Sequence, residues 1–188
     1  MGRWQPDAAG RLQKAAFELY AERGYEETTV AEIAERAGLT ERTFFRHFAD
    51  KREVLFRGSG ELQELMVNAV DAASSSATPL EAIAAGLAAA GAMFNAPMRP
   101  YSLQRQSMID ANPELQEREQ LKLASLAASL ADALRRRGVQ DPAAELTAEA
   151  GVAVFRVAFE QWVRDDSGRD FALHVHDGIA ELRMVAAG

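Results

Sequence analysis

Apolar residues along this chain recur at intervals of three and four and nowhere settle into a sustained alternation of two. That spacing lays them on one face of a 3.6-residue helix and confines the chain to helical architectures. The abundant Ala, Leu, Glu, Gln and Arg are the residues that lose least in a helix. No Asn-Gly or Asp-Gly turn joins two alternating segments, and no fixed-period repeat is present. With 188 residues the chain can bury a core without covalent staples. It has no cysteine, which removes disulfides, thiolate metal sites and a cysteine nucleophile.

Helix-terminating signals divide this pattern into about nine helices. Asp7 caps the first, which runs to Arg23 and ends at Gly24. Thr29 and Glu32 have capping-box spacing ahead of the stripe Val30, Ile33, Ala34, Ala37, and Gly38 closes that short helix. Thr40 caps a third, for which Phe44, Phe45 and Phe48 are the expected anchors to neighbouring helices. Asp50 is expected to start a fourth, running through Leu55 toward Val70. Thr78-Pro79-Leu80-Glu81 opens the fifth, and Asn95-Ala96-Pro97 breaks it. Further helices follow near 101–111, 114–137, 142–165 and 170–186. The expected fold class is all-α.

The segment Thr29–Lys51 carries the functional signal. It reads as a short helix, a turn containing glycine and a second short helix, the pattern of a helix-turn-helix whose second helix enters the DNA major groove. Thr40, Arg42, Thr43, Arg46 and His47 supply hydrogen-bond donors on that helix. Between Arg36 and Arg52, five Lys/Arg face only Glu41 and Asp50, a local net charge of +3. The whole chain is acidic at −7, which taken alone argues against nucleic acid. That excess lies entirely in residues 58–188, because residues 1–57 carry ten Lys/Arg and ten Asp/Glu.

Over about 50 residues the chain resembles the TetR family of transcriptional regulators. The resemblance rests on Gly24-Tyr25, Thr28-Thr29-Val30, Ile33-Ala34, Ala37-Gly38-Leu39-Thr40, Thr43-Phe44-Phe45, His47-Phe48, Lys51 and Leu55-Phe56. It implies a three-helix DNA-binding domain over 1–57 and a helical ligand-binding and dimerisation domain over 58–188. It also implies repression of a palindromic double-stranded DNA operator by a homodimer that a small hydrophobic effector releases. Thr29 would then present its hydroxyl and N–H to a phosphate, with Thr40 and His47 on the DNA backbone and Lys51 as the family's phosphate-binding lysine. Arg42 and Thr43 become the base readers, and Arg46 is open to either role. The family usually has tyrosine where Phe45 stands, and that tyrosine commonly reaches a phosphate, so the contact does not transfer. Arg3 and Trp4 read as a tail, with an arm near the minor groove as the alternative.

In the second domain the candidate ligand residues are Met66, Phe94, Met98, Tyr101, Gln104, Met108, Phe155, Phe159 and Trp162, apolar groups with few polar ones. Arg105, on the Tyr101–Met108 face, would suit an acidic group. The last two helices offer a dimer face of Leu146, Ala150, Ala153 and Val157 with Phe171, Val175, Gly178 and Leu182. Ala150, Gly151 and Gly178 are expected to permit close approach there, and Gly58-Ser59-Gly60 is the expected bend or hinge between domains.

Catalytic signatures are missing. Arg57-Gly58-Ser59-Gly60 has the wrong spacing for a nucleophile elbow, and His174 and His176, two apart, point different ways on a helix. The chain is therefore expected to be no enzyme and to need no cofactor or metal. A helical protein-binding module is the remaining alternative. No run of 18 apolar residues and no secretory signal is present, so a cytoplasmic location without membrane association is expected.

Overall fold

The computed structural model describes residues 7–188; Arg3 and Trp4 lie outside the described residues. Nine α-helices and no strand occur among the described residues. They are α1 (Ala8–Arg23), α2 (Val30–Arg36), α3 (Glu41–His47), α4 (Ser59–Ala72), α5 (Pro79–Ala89), α6 (Arg99–Ala111), α7 (Pro113–Arg136), α8 (Ala143–Arg164) and α9 (Phe171–Ala187). Short 3₁₀ turns at Ala90–Ala92 and Ala96–Met98 fill the α5–α6 connection. No single helix among the described residues is long and apolar enough to cross a membrane. The chain divides into two compact units. The first runs to Arg57 and includes Arg105–Glu119; the second comprises Gly58–Gln104 and Gln120–Gly188. Residues 105–119, read from the sequence as part of the second domain, thus group with the first.

In the first unit the helix ends follow local chemistry. The Asp7 carboxylate accepts the Gly10 N–H at 2.7 Å, satisfying one of the donors left over at the start of α1. Thr29 and Glu32 form a reciprocal capping box on α2, and Thr40 accepts the Thr43 N–H at 3.2 Å at the start of α3. Leu12, Ala16 and Leu19 of α1, Ile33 of α2 and Phe44 of α3 are fully or almost fully buried where these helices pack together. Phe48 is buried too, but Phe45 is 55% exposed, so it is not the core anchor its apolarity suggested.

The fourth helix begins later than expected. Asp50 caps a turn rather than a helix: its carboxylate accepts the N–H groups of Arg52 at 2.8 Å and Glu53 at 3.2 Å. Residues 51–57 continue as turns, and α4 starts only at Ser59. Gly58 separates them at φ 88°, ψ −8°, a left-handed conformation that costs a residue with a Cβ. Position 58 is thus the local break between these turns and α4.

The second unit is organised around α5, which packs against α4, α8 and α9. Its core includes Met66 and Val70, Ile83 and Leu87, Leu130 and Leu134 of α7, Val152, Phe155 and Phe159 of α8, and Phe171, Val175 and Ile179 of α9. Gly151 and Gly178 permit close approach within this intrachain packing. A Cβ on Gly151 would sit 2.4 Å from Ile83 Cγ2, and one on Gly178 would sit 3.0 Å from Val154 Cγ1.

Candidate nucleic-acid interface

The face of α3 opposite its buried side is chemically distinct from the rest of the first unit. Successive helical residues are ~100° apart, so Arg42 and Arg46 both project about 160° away from buried Phe44. Both are exposed, as is His47, and none of the three side chains makes a hydrogen bond or ion pair among the described residues. Other cations of this unit are engaged. Arg23 pairs with Glu32 at 2.6 Å, Arg36 with Glu22 at 2.8 Å, Arg52 with Asp50 at 2.6 Å and Arg57 with Asp7 at 3.0 Å. Arg118 pairs with Glu53, and Arg11 donates to the Ala37 carbonyl. Uncompensated positive charge is thus presented on one surface, together with the hydroxyls of Thr40 and Thr43, which lie 3.0 Å apart.

Two expected phosphate contacts are differently placed. The Lys51 ammonium donates to the carbonyls of Tyr25 at 2.9 Å, Glu26 at 3.1 Å and Thr28 at 3.2 Å, and lies 4.3 Å from the Tyr25 ring centroid. An ammonium has three N–H donors, and here all three hold the α1–α2 connection. Thr29 donates its hydroxyl at 2.8 Å and its backbone N–H at 2.9 Å to the Glu32 carboxylate. Those bonds hold the Glu32 carboxyl below its ordinary range. A phosphate at this helix end must therefore displace a carboxylate, so in this structure Lys51 and Thr29 brace the elements that hold α3.

The bracing continues into residues 105–119. Arg105, expected to face an acidic effector, instead donates to the Leu55 carbonyl at 2.7 Å and to Glu119 at 3.3 Å, with its guanidinium 5.0 Å from the Phe56 ring centroid. Arg52 reaches Glu114 at 3.4 Å, and the Tyr25 hydroxyl donates to the same carboxylate at 3.3 Å. Burial pushes the Tyr20 phenol well above its ordinary range and does the same to Tyr25, assisted by the Glu114 charge.

In the second unit, Phe94, Phe155, Phe159 and Trp162 come together with ring centroids 5.3–6.4 Å apart where they pair. Phe171 completes the cluster 4.9 Å from Phe94. Phe171 and Val175 are therefore interior and do not lie on a dimer face; they sit on the side of α9 turned toward α8 and the core. Met66 is fully buried in the same core, Met98 is exposed, and Tyr101 and Gln104 are half-buried. Met108 groups with the first unit, so it does not join the aromatic set. Leu146, Ala150, Ala153 and Val157 share an outward face of α8, with Leu146 67% exposed. An open groove runs between this face and Gly178, Leu182 and Val185 of α9.

Residues 12–57 match the family described as bacterial regulatory proteins, tetR family, and residues 77–187 match the MftR C-terminal domain. The chain belongs to the TetR family. Its all-helical architecture, with the family's N-terminal match over α1–α3 and the turns after them and its C-terminal match over the later helices, is that of the family. The HTH-type transcriptional regulator TcmR of Streptomyces glaucescens is 40% identical over 73 residues, 39% of this chain and 32% of TcmR. The match thus spans about a third of that relative's length. A Mycobacterium tuberculosis protein named for the transcriptional regulation of mycofactocin biosynthesis, MftR, is 26% identical over 170 residues, covering 89% of this chain and 85% of MftR. The fold is also that of Bacillus subtilis FadR, solved in complex with stearoyl-CoA, at a TM-score of 0.60 and 19% identity over 92% of this chain and 96% of FadR.

What sequence reasoning missed in this TetR-family chain is the bracing. Arg105 and Leu55 are 50 positions apart, and Arg118 and Glu53 are 65 apart, with no local spacing to betray either pair. The exposure of Phe45, expected to be an anchor, had an overlooked signal in helical phase: one residue after Phe44, it falls ~100° round the helix from the buried side.

Proposed function

We propose that this regulator binds a roughly palindromic operator as a homodimer, acts as a repressor, and is released by a small hydrophobic effector. The observation that carries the reading is the pair of exposed arginines on α3, uncompensated where neighbouring cations are paired. Arg42 suits bidentate contact with guanine, Thr43 reads beside it, and Thr40 and His47 serve the DNA backbone, with Arg46 open to either role. The outward face of α8 with Gly178 and Leu182 supports pairing of two subunits as a four-helix bundle, which sets the half-site spacing. For the effector, the cluster of Phe94, Phe155, Phe159 and Trp162 supplies the apolar surface, and Met66, Met98, Tyr101 and Gln104 are the further candidate contacts. Because FadR was solved with stearoyl-CoA, a long acyl chain is the first apolar group to test, offered as the free fatty acid and as the acyl-CoA thioester. Release requires that the effector bind the DNA-competent and DNA-incompetent states with different affinity.

Selection of bound DNA from a random pool tests the reading. The expected product is a palindrome with half-sites one helical turn or a multiple apart. Arg42→Ala should cost about 1–3 kcal/mol at one base pair and relax preference there, measured by quantitative binding to single-base operator variants. Retained preference would overturn the assignment. Sedimentation as a monomer at micromolar concentration would overturn the dimer.

A further inference from the structure

Phe45 is the one large apolar side chain exposed on α3 among the described residues, and it has no evident structural role there. Phe44 and Phe48 anchor the helix, both buried, whereas Phe45 is 55% exposed. It lies ~60° round the helix from Arg42, on the flank of the arginine pair. Its ring is not loose: it meets the buried Phe44 ring edge-to-face, centroids 5.5 Å apart and planes at 81°. That contact holds an apolar surface in a fixed place on a face otherwise made of guanidinium, imidazole and hydroxyl groups. A phenyl ring has no donor for a phosphate or for a base acceptor. The apolar feature that distinguishes one base pair from another in the major groove is the C5-methyl of thymine.

We propose that Phe45 is a specificity-determining residue that packs on a thymine methyl group next to the base pair read by Arg42. The proposal rests on α3 being the reading helix, as argued above. Burying one methyl against the ring is equivalent to about a fourfold change in affinity per half-site.

The experiment replaces each thymine of the selected operator, one position per half-site at a time, by deoxyuridine, which lacks only that methyl. The full-length protein is compared with F45A and F45L; the position is exposed, so neither variant empties the core. The expected result is one position where deoxyuridine weakens wild type about fourfold per half-site and leaves F45A unaffected, with F45L intermediate. The preference attributed to Arg42 persists in both variants. Three outcomes overturn the proposal: wild type indifferent to every replacement, F45A showing the wild-type penalty, or F45A weakened equally on all sequences, which would put the ring on the sugar-phosphate chain. Failure of the underlying reading looks different, because R42A would then leave base preference intact whatever Phe45 does.

Discussion

Charged side chains enter the framework of the first unit, where Lys51, Arg11 and Arg105 end on backbone carbonyls and Arg52 and Arg118 end on carboxylates. The second unit has a different interior, in which five aromatic rings and a bed of Leu, Ile, Val and Ala make the core. Directional bonds to fixed carbonyls specify where a helix sits, as a surface that must match DNA requires. Apolar packing is non-directional, so a core of that kind can exchange one apolar neighbour for another. The second unit has such bonds too, from Arg99 to the Val163 carbonyl and from Arg137 to the Ala73 and Ser74 carbonyls, so the two units differ in degree: the larger apolar and aromatic cluster lies in the unit proposed to sense.

The largest expected effect tests the apolar side. Phe171→Ala removes a fully buried ring that touches Phe94, Phe155 and Trp162, and should destabilise the second unit by about 3–5 kcal/mol. Hydrogen exchange should show the loss in α5, α8 and α9, with α1–α3 less affected. Lys51→Met keeps the stem and removes three charge-assisted bonds. It should cost about 2–3 kcal/mol, localised by the same measurement to the first unit. DNA binding should then weaken on every sequence, without the stability-neutral fall in salt dependence that a pure phosphate contact gives.

Alkaline pH should separate the units further. Tyr20 and Tyr25 have phenols raised by burial, so the stability they contribute is fully present below the unfolded value of about 10. It falls as pH rises above that value, and Tyr20→Phe should blunt the fall. Circular dichroism and exchange at α1–α3 between pH 9 and 11 (roughly the range around that unfolded value) would check it. The smallest effect lies at the break before α4: Gly60→Ala meets open space and should stabilise α4 by at most about 1 kcal/mol. Gly58→Ala, forced to φ 88°, should destabilise by more than that. If 58 is a hinge, Gly58→Ala also changes effector-driven operator release; unchanged release would exclude that role.

Helix ends governed by neighbours in sequence were readable. The Thr29–Glu32 and Thr78–Glu81 boxes and the positive-φ glycines 24 and 38 stand where the residues indicated. The start of α4 was not readable, because Asp50 makes the same backbone bonds at a turn that it would make at a helix. On the candidate interface, Arg42 and Arg46 could be placed from helical phase alone. That Lys51 is committed to carbonyls, and that Phe171 faces inward, depend on elements brought together only by folding. A face of α9 that is apolar on both sides gives the sequence no means of telling core from partner.

The grouping of residues 105–119 with α1–α3 bears on how such a reading head can be transplanted. Severing the chain at Gly58 leaves Tyr25 and Arg52 without Glu114, the Leu55 carbonyl without Arg105, and discards the fully buried Ile109 and Leu115. The movable module is discontinuous. A working chimera needs three seams, one at 58 and two more flanking 105–119, so that the graft carries its own scaffold with it.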